Sequence, residues 1–160
     1  MGSRTASCSC GQLRIEVRGD PLGVGVCHCL ACQRRTGSVF AALAAFAAPY
    51  EVVGTATEYV RVGDHGARFK FRFCPVCGTN LFHTEEGREH SSVGVAVGAF
   101  ADPTFPRPQI RSTTAAAIPG CNCRQGPRPT IRTPSDREPC PPQDLRRLAP
   151  VRRVWLKFAV

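Results

Sequence analysis

Seven cysteines crowd into the first half of this 160-residue chain in three tight groups: Cys8 and Cys10; Cys27, Cys29 and Cys32; and Cys74 and Cys77 in Cys-Pro-Val-Cys-Gly. Thiolates one or two residues apart can converge on one ion about 2.3 Å from each sulfur, and zinc usually takes four such ligands in a tetrahedron. Seven divides as four plus three, which reads as two zinc sites. Four thiolates close a structural site, whereas three leave a position open to water or substrate, as in a catalytic zinc. Cys27, Cys29 and Cys32 lie within six residues and make one three-point ligand set. The pairs Cys8/Cys10 and Cys74/Cys77 are then left to find each other across the fold. Disulfide bonding is the competing reading, and it suits such close neighbours poorly, because a bridge needs Cα atoms roughly 4.4–6.8 Å apart in a constrained geometry.

The length suits one domain, and 42% hydrophobic content agrees with a globular protein. No run of about 18 apolar residues is present. The start, Met1-Gly2-Ser3-Arg4-Thr5-Ala6, has neither the apolar core of a secretory signal nor the Ser or Thr that a myristoylation site needs at position 6. A cytoplasmic protein is expected, where reducing conditions favour thiolate–metal chemistry. The net charge of +9 is uneven: residues 107–160 carry 11 Lys and Arg against 3 acids, and residues 1–106 carry 10 against 9. Nine of the 14 prolines also fall in 107–160. A basic, proline-rich segment with few large apolar residues is poorly equipped to bury a core, so the domain is assigned to 5–106 and an irregular tail to 107–160.

Leu13, Ile15 and Val17 alternate with Arg14, Glu16 and Arg18, the period-two pattern of a half-buried strand. Cys8 and Cys10 are expected at the beginning of that strand, where residues two apart share a face. Further strands are expected at Val24–Cys27, Val39–Phe46, Glu51–Gly54, Thr57–Val62, Ala67–Phe73, from Asn80 to His83, and at Ser92–Val97. The three-cysteine segment and its polar continuation Gln33 to Ser38 are expected to form a loop. Cys74 to Gly78 reads as a zinc knuckle, with Pro75 fixing the turn and Gly78 supplying a positive φ. Phe100 and Phe105 stand in a loop where they can cover a core edge.

The motifs Cys8-Ser9-Cys10-Gly11, Cys27-His28-Cys29-Leu30-Ala31-Cys32-Gln33-Arg34-Arg35-Thr36-Gly37-Ser38 and Cys74-Pro75-Val76-Cys77-Gly78-Thr79, in this order, resemble the glutathione-dependent formaldehyde-activating enzyme family, which also includes centromere protein V. The resemblance covers roughly residues 5 to 106 and ends on Gly98-Ala99-Phe100. It implies an all-β, zinc-stapled β-tent fold of short antiparallel strands. It also implies two zinc ions per chain, the structural one on Cys8, Cys10, Cys74 and Cys77, and the catalytic one on Cys27, Cys29 and Cys32. The implied reaction is addition of glutathione, or a related thiol, to formaldehyde or another small electrophile, a carbon–sulfur lyase run in the synthetic direction.

Arg34 and Arg35 are candidates for gripping glutathione's carboxylates, since guanidinium pairs with carboxylate in a bidentate fork. His28 alternates with two ligands and is read as structural, and His83 as packing rather than part of the site. Two other classes compete with the enzyme. One is a zinc-binding module contacting nucleic acid or protein, which the near-neutral domain disfavours; the other is a redox or zinc-storage protein. Cys121, Cys123 and Cys140 lie in a segment without periodicity and are read as free thiols. From Ile110 the chain departs from the ending the family leads one to expect. Back-translating Arg111 to Cys123 with GC-biased codons and reading two bases later can give a tryptophan-containing sequence like that ending, so a frameshifted tail with a missing last strand is expected.

Overall fold

The computed structural model describes residues 2–63 and 66–112. Cys121, Cys123, Cys140 and nearly all of the segment read as a frameshifted tail lie outside the described residues. Among the described residues ten strands form two sheets. The smaller sheet, in the order β1-β2-β5, is antiparallel and comprises β1 Ser3–Ser7, β2 Arg14–Arg18 and β5 Glu51–Val53. The larger has the order β10-β3-β4-β9-β8-β7-β6, with β3 Gly23–Cys27, β4 Ala41–Ala47, β6 Thr57–Val62, β7 Arg68–Phe73, β8 Asn80–Glu85, β9 Ser92–Ala96 and β10 Ile110–Ser112. Among the described residues one short helix, α1 Leu30–Thr36, interrupts the strands, and a single 3-10 turn covers Val97–Phe100. None is long and apolar enough to cross a membrane.

Alternation builds the core. Ala6, Leu13, Ile15 and Val17 from the small sheet side meet Val24, Ala44, Phe46, Leu81, Phe82, Val93 and Val95 from the large one, and all are buried. The Val39–Phe46 run is a strand, as its eight apolar residues between Gly37 and Pro49 lead one to expect, beginning at Ala41. Phe100 and Phe105 stack with centroids 4.8 Å apart, Phe100 lies 5.8 Å from Phe46, and both pack against the core edge.

Two local expectations are corrected. Cys8 and Cys10 lie in the turn joining β1 to β2 rather than on an extended strand, because Cys8 N–H donates to Leu13 O at 2.9 Å and Gly11 N–H to Cys8 O at 2.9 Å. The segment after Cys29 is a helix, not a loop. In addition, a short strand lies in the segment assigned to the tail: β10 pairs in parallel with β3, Ile110 opposite Gly25.

Lys70 ties β7 to the turn after β8 through Glu89 at 2.8 Å and Glu86 at 3.3 Å, while Arg68 holds Glu86 at 2.6 Å. The Lys70 hydrogen bond draws the Glu89 carboxyl down to about 2. A carboxyl whose folded value is depressed stabilises the fold above its unfolded value, and that contribution fades as pH falls toward the folded one. In acid titrations followed by circular dichroism, Lys70→Met is expected to lose stability relative to the wild type at neutral pH and to converge with it near pH 2. A constant difference across the range would contradict this origin.

Gly54, at φ 101°, sits so close to the β1–β2 turn that a Cβ would lie 1.8 Å from the Gln12 carbonyl oxygen. Neither backbone can yield cheaply. Gly54→Ala is expected to destabilise the domain by about 2 kcal/mol or more, read from urea unfolding; an unchanged midpoint would show that the turn can move.

Candidate functional site

The β1–β2 turn and the β7–β8 turn face each other and bring Cys8, Cys10, Cys74 and Cys77 together, each with its sulfur within 4.8 Å of all the others. Cys10 Sγ lies 3.5 Å from Cys8 Sγ and 3.6 Å from Cys74 Sγ. These separations are far too long for disulfides and close to the edge of a tetrahedron about 2.3 Å from its centre, which is about 3.8 Å. None of the seven clustered cysteines is joined in a disulfide. The donor set therefore fits a metal that prefers four sulfurs.

Backbone and side-chain donors are already aimed at these sulfurs. Leu13 N–H points at Cys8 Sγ at 3.3 Å, and Val76 and Cys77 N–H point at Cys74 Sγ at 3.4 and 3.5 Å. Gln12 Nε2 donates to Cys74 Sγ at 2.9 Å and to Thr55 O at 2.8 Å, while its Oε1 accepts from Thr55 N–H at 3.1 Å. One side chain thus braces the knuckle against the segment between β5 and β6. The Thr79 hydroxyl lies 3.3 Å from Cys77 Sγ and 3.0 Å from Ser9 Oγ, joining the two turns again. Thr79 draws the Cys77 thiol down to about 5. At Cys10 the Gln12 backbone pulls downward, but Cys8, burial and Cys74 outweigh it and push the thiol up to about 12. A divalent cation bound by these four sulfurs would displace the protons of their thiols.

The second cluster is built by a strand end and a helix start. Cys27 closes β3, held in register opposite Ala41 of β4. Cys29 is the N-cap of α1, extended at φ −61° and ψ 149°, and its sulfur accepts the Cys32 N–H at 3.3 Å. Cys32 lies in the first helical turn and is buried. The three sulfurs lie within 4.8 Å of one another, and among the described residues no fourth His, Cys, Asp or Glu joins them. Burial, then the neighbouring Cys29 and Cys27, push the Cys32 thiol up to about 12. A cation in the cluster would reverse that penalty, so these residues also fit a thiophilic metal.

The helix exists for reasons that a periodicity search misses, since seven residues are too few to show one. Gly37 ends it in the left-handed region at φ 66°, its N–H returning to Gln33 O at 2.9 Å, and Arg34 and Arg35 in the last turn complement the helix dipole. Gln33 Nε2 reaches back to His28 O at 2.8 Å. His28 itself is buried edge-on to Phe40, 5.7 Å between ring centroids, and takes no part in the sulfur cluster.

Arg34 and Arg35 occupy different settings. Arg35 lies over the Phe71 ring at 4.6 Å, donates to Asn80 Oδ1, and brings Nη2 to 4.0 Å from Cys32 Sγ. Arg34 is exposed, and both line a cavity of about 510 Å³ beside α1. His83 packs between Phe69 and Phe71, 5.9 and 5.2 Å between centroids, and lies over Gly94, where a Cβ would come within 2.2 Å of its ring. Burial, with Arg35 and Arg61 nearby, holds its imidazole down at about 4, so it is neutral at physiological pH. Sequence reasoning missed Gln12, Thr79 and Asn80, because only the folded turns bring them to the sulfurs and to Arg35.

A family model described as glutathione-dependent formaldehyde-activating enzyme matches residues 3–116. Among solved structures, the crystal structure of a Rhodobacter sphaeroides protein is 27% identical over 59% of this chain and 85% of that one, with a TM-score of 0.45. The family match spans both sulfur clusters, α1 and all ten strands. The chain therefore belongs to the glutathione-dependent formaldehyde-activating enzyme family.

Proposed function

We propose that this protein adds glutathione, or a related thiol, to formaldehyde or another small electrophile, using a zinc ion held by Cys27, Cys29 and Cys32, while a second zinc on Cys8, Cys10, Cys74 and Cys77 holds the fold. One observation carries the reading: three sulfurs converge with no fourth protein donor among the described residues, beside a cluster that has all four. Zinc bound in the incomplete set supplies a Lewis acid that accepts a soft sulfur and keeps a substrate thiol deprotonated near neutral pH.

The chain's own residues do the rest. Strand register fixes Cys27, and the capping contact from Cys32 N–H fixes the Cys29 sulfur, so the open side of the set has a defined direction. The Arg35 guanidinium beside Cys32 offsets the negative charge of three thiolates. When a thiolate sulfur meets the aldehyde carbon, the S–C bond forms as the C=O π pair moves to oxygen, and that oxygen takes a proton from solvent. Nothing is oxidised or reduced, and the product is a hemithioacetal. Holding the two reactants together supplies much of the acceleration. A reducing compartment such as the cytoplasm would keep the clustered thiols available to a metal.

Two substitutions separate the two centres. Cys32→Ser is expected to reduce zinc from about two equivalents to about one and to lower kcat/KM for hemithioacetal formation by about a hundredfold or more, with the far-UV circular dichroism spectrum preserved. An unchanged rate and metal content would rule the reading out. Cys74→Ser is expected to remove the other equivalent and abolish cooperative thermal unfolding, since metal affinity at such a site is folding free energy; a protein that melts like the wild type would refute the structural role.

A further inference from the structure

The outer face of the seven-stranded sheet carries charge that nothing among the described residues neutralises. Strand register places Tyr59 opposite Phe71 and Arg61 opposite Phe69, so Tyr59 and Arg61 project to the same face as Phe71 and Phe73. With α1 above them, these side chains wall the cavity of about 510 Å³. Arg34 and Arg35 enter it from α1 and Arg61 from β6, and no carboxylate lines it. The acid adjoining Tyr59 in sequence, Glu58, belongs to the opposite face and pairs with Arg72 at 2.6 Å. Arg35 is already committed to Asn80 and to the Phe71 ring. Arg34 and Arg61 have no ion-pair partner among the described residues.

Three guanidinium groups facing one partly apolar cavity repel each other, and a bound anion relieves that repulsion while gaining fork-shaped hydrogen bonds. The flat walls, Tyr59, Phe71 and Phe73, favour a ligand whose charged groups are joined by a less polar body. The cavity also adjoins the incomplete sulfur set, because Ala31 lines it next to Cys32 and Arg35 spans from it to the Cys32 sulfur. We infer that this cavity seats the carboxylates of the substrate thiol, with Arg61 of β6 and Arg34 of α1 as the specificity-determining pair that selects carboxylate-bearing thiols over uncharged ones. Arg35 is the positioning residue, fixed as a wall between the seat and the sulfurs. The inference rests on the thiol-addition reading and assigns to Arg61, far from any cysteine motif, the role that sequence alone offered to Arg35.

The test uses the full zinc-loaded chain and two readouts. S-methylglutathione keeps both carboxylates but has no thiol, so calorimetric titration measures the seat without any reaction. Arg61→Gln is expected to weaken its binding by about tenfold or more, and Arg61→Lys to recover part of the loss. In initial-rate assays with formaldehyde, the ratio of kcat/KM for glutathione to that for 2-mercaptoethanol is expected to fall by about the same factor, through KM more than kcat. Should Arg61→Gln fail to fold, Arg34→Gln is measured instead, with a loss in the same direction expected. Equal S-methylglutathione affinity in wild type and variant, no binding to either, or a parallel fall with both thiols would overturn the seat. Arginine-dependent binding of S-methylglutathione without turnover of any thiol would leave the seat standing and remove the addition chemistry. Turnover indifferent to both arginines would do the reverse.

Discussion

The meeting of two turns through four sulfurs is the contact on which this domain depends. The small sheet has only three strands, and β5 is exposed along its whole length. Its contribution to the core comes from one side of β1 and β2, the line of Ala6, Leu13, Ile15 and Val17. Such a layer buries too little to fix its own angle against the large sheet. Cys8 and Cys10 at one of its ends, opposite Cys74 and Cys77 at an end of the large sheet, supply the missing constraint. The hydrogen bonds from Gln12 and the Thr79–Ser9 contact make the constraint directional, since they fix each turn's conformation as well as the sulfur separations. A metal in this setting completes a frame that is already shaped for it, which lowers the ordering cost that binding must overcome.

The second cluster uses the frame differently. Its cysteines come from a strand that lies inside the seven-stranded sheet and from the helix that follows, so they form a local unit needing no distant partner. Because β3 is paired on one side with β4 and on the other with β10, the base of that unit is held on both flanks. The glycines of β3 make room for β10: a Cβ on Gly23 or Gly25 would come within 3.3 Å of Ile110. Distant sequence therefore supports the rigidity of a cluster whose cysteines span only a few residues.

Much of this was legible beforehand, for identifiable reasons. Leu13, Ile15 and Val17 announce a strand because a strand with one buried face must alternate, and the four-plus-three division of the cysteines is visible because chelation demands short spacing. The helix after Cys29 was not legible, because its start depends on a cysteine acting as a cap and its end on Gly37, cues that a turn would display equally. Ile110–Ser112 was obscured by its surroundings: three residues beside a proline-rich basic stretch carry no periodicity, and the strand forms because β3 offers a free edge and glycines beneath it. The cavity wall was hidden for a further reason. Tyr59 and Arg61 meet α1 only through the β6–β7–β8 order, and a list of motifs carries no information about strand order.

The two faces of the large sheet explain how so small a domain combines a core with a cleft. On β7, Lys70 and Arg72 point to one side and Phe69, Phe71 and Phe73 to the other, yet it is the aromatic side that faces the cavity while Lys70 and Arg72 are neutralised by Glu86, Glu89 and Glu58. The usual expectation that an aromatic row marks the core fails here, because on the neighbouring β8 and β9 the core side is taken by Phe82, Val93 and Val95, and the opposite side by His83 and Gly94. His83 lies above Gly94 on the outer face, and toward α1 Arg35 lies over Phe71. Apolar surface left on a sheet and then roofed by a cationic helix end is costly unless something fills it. That imbalance gives the outer face, rather than the conventional core, the chemistry of a binding surface.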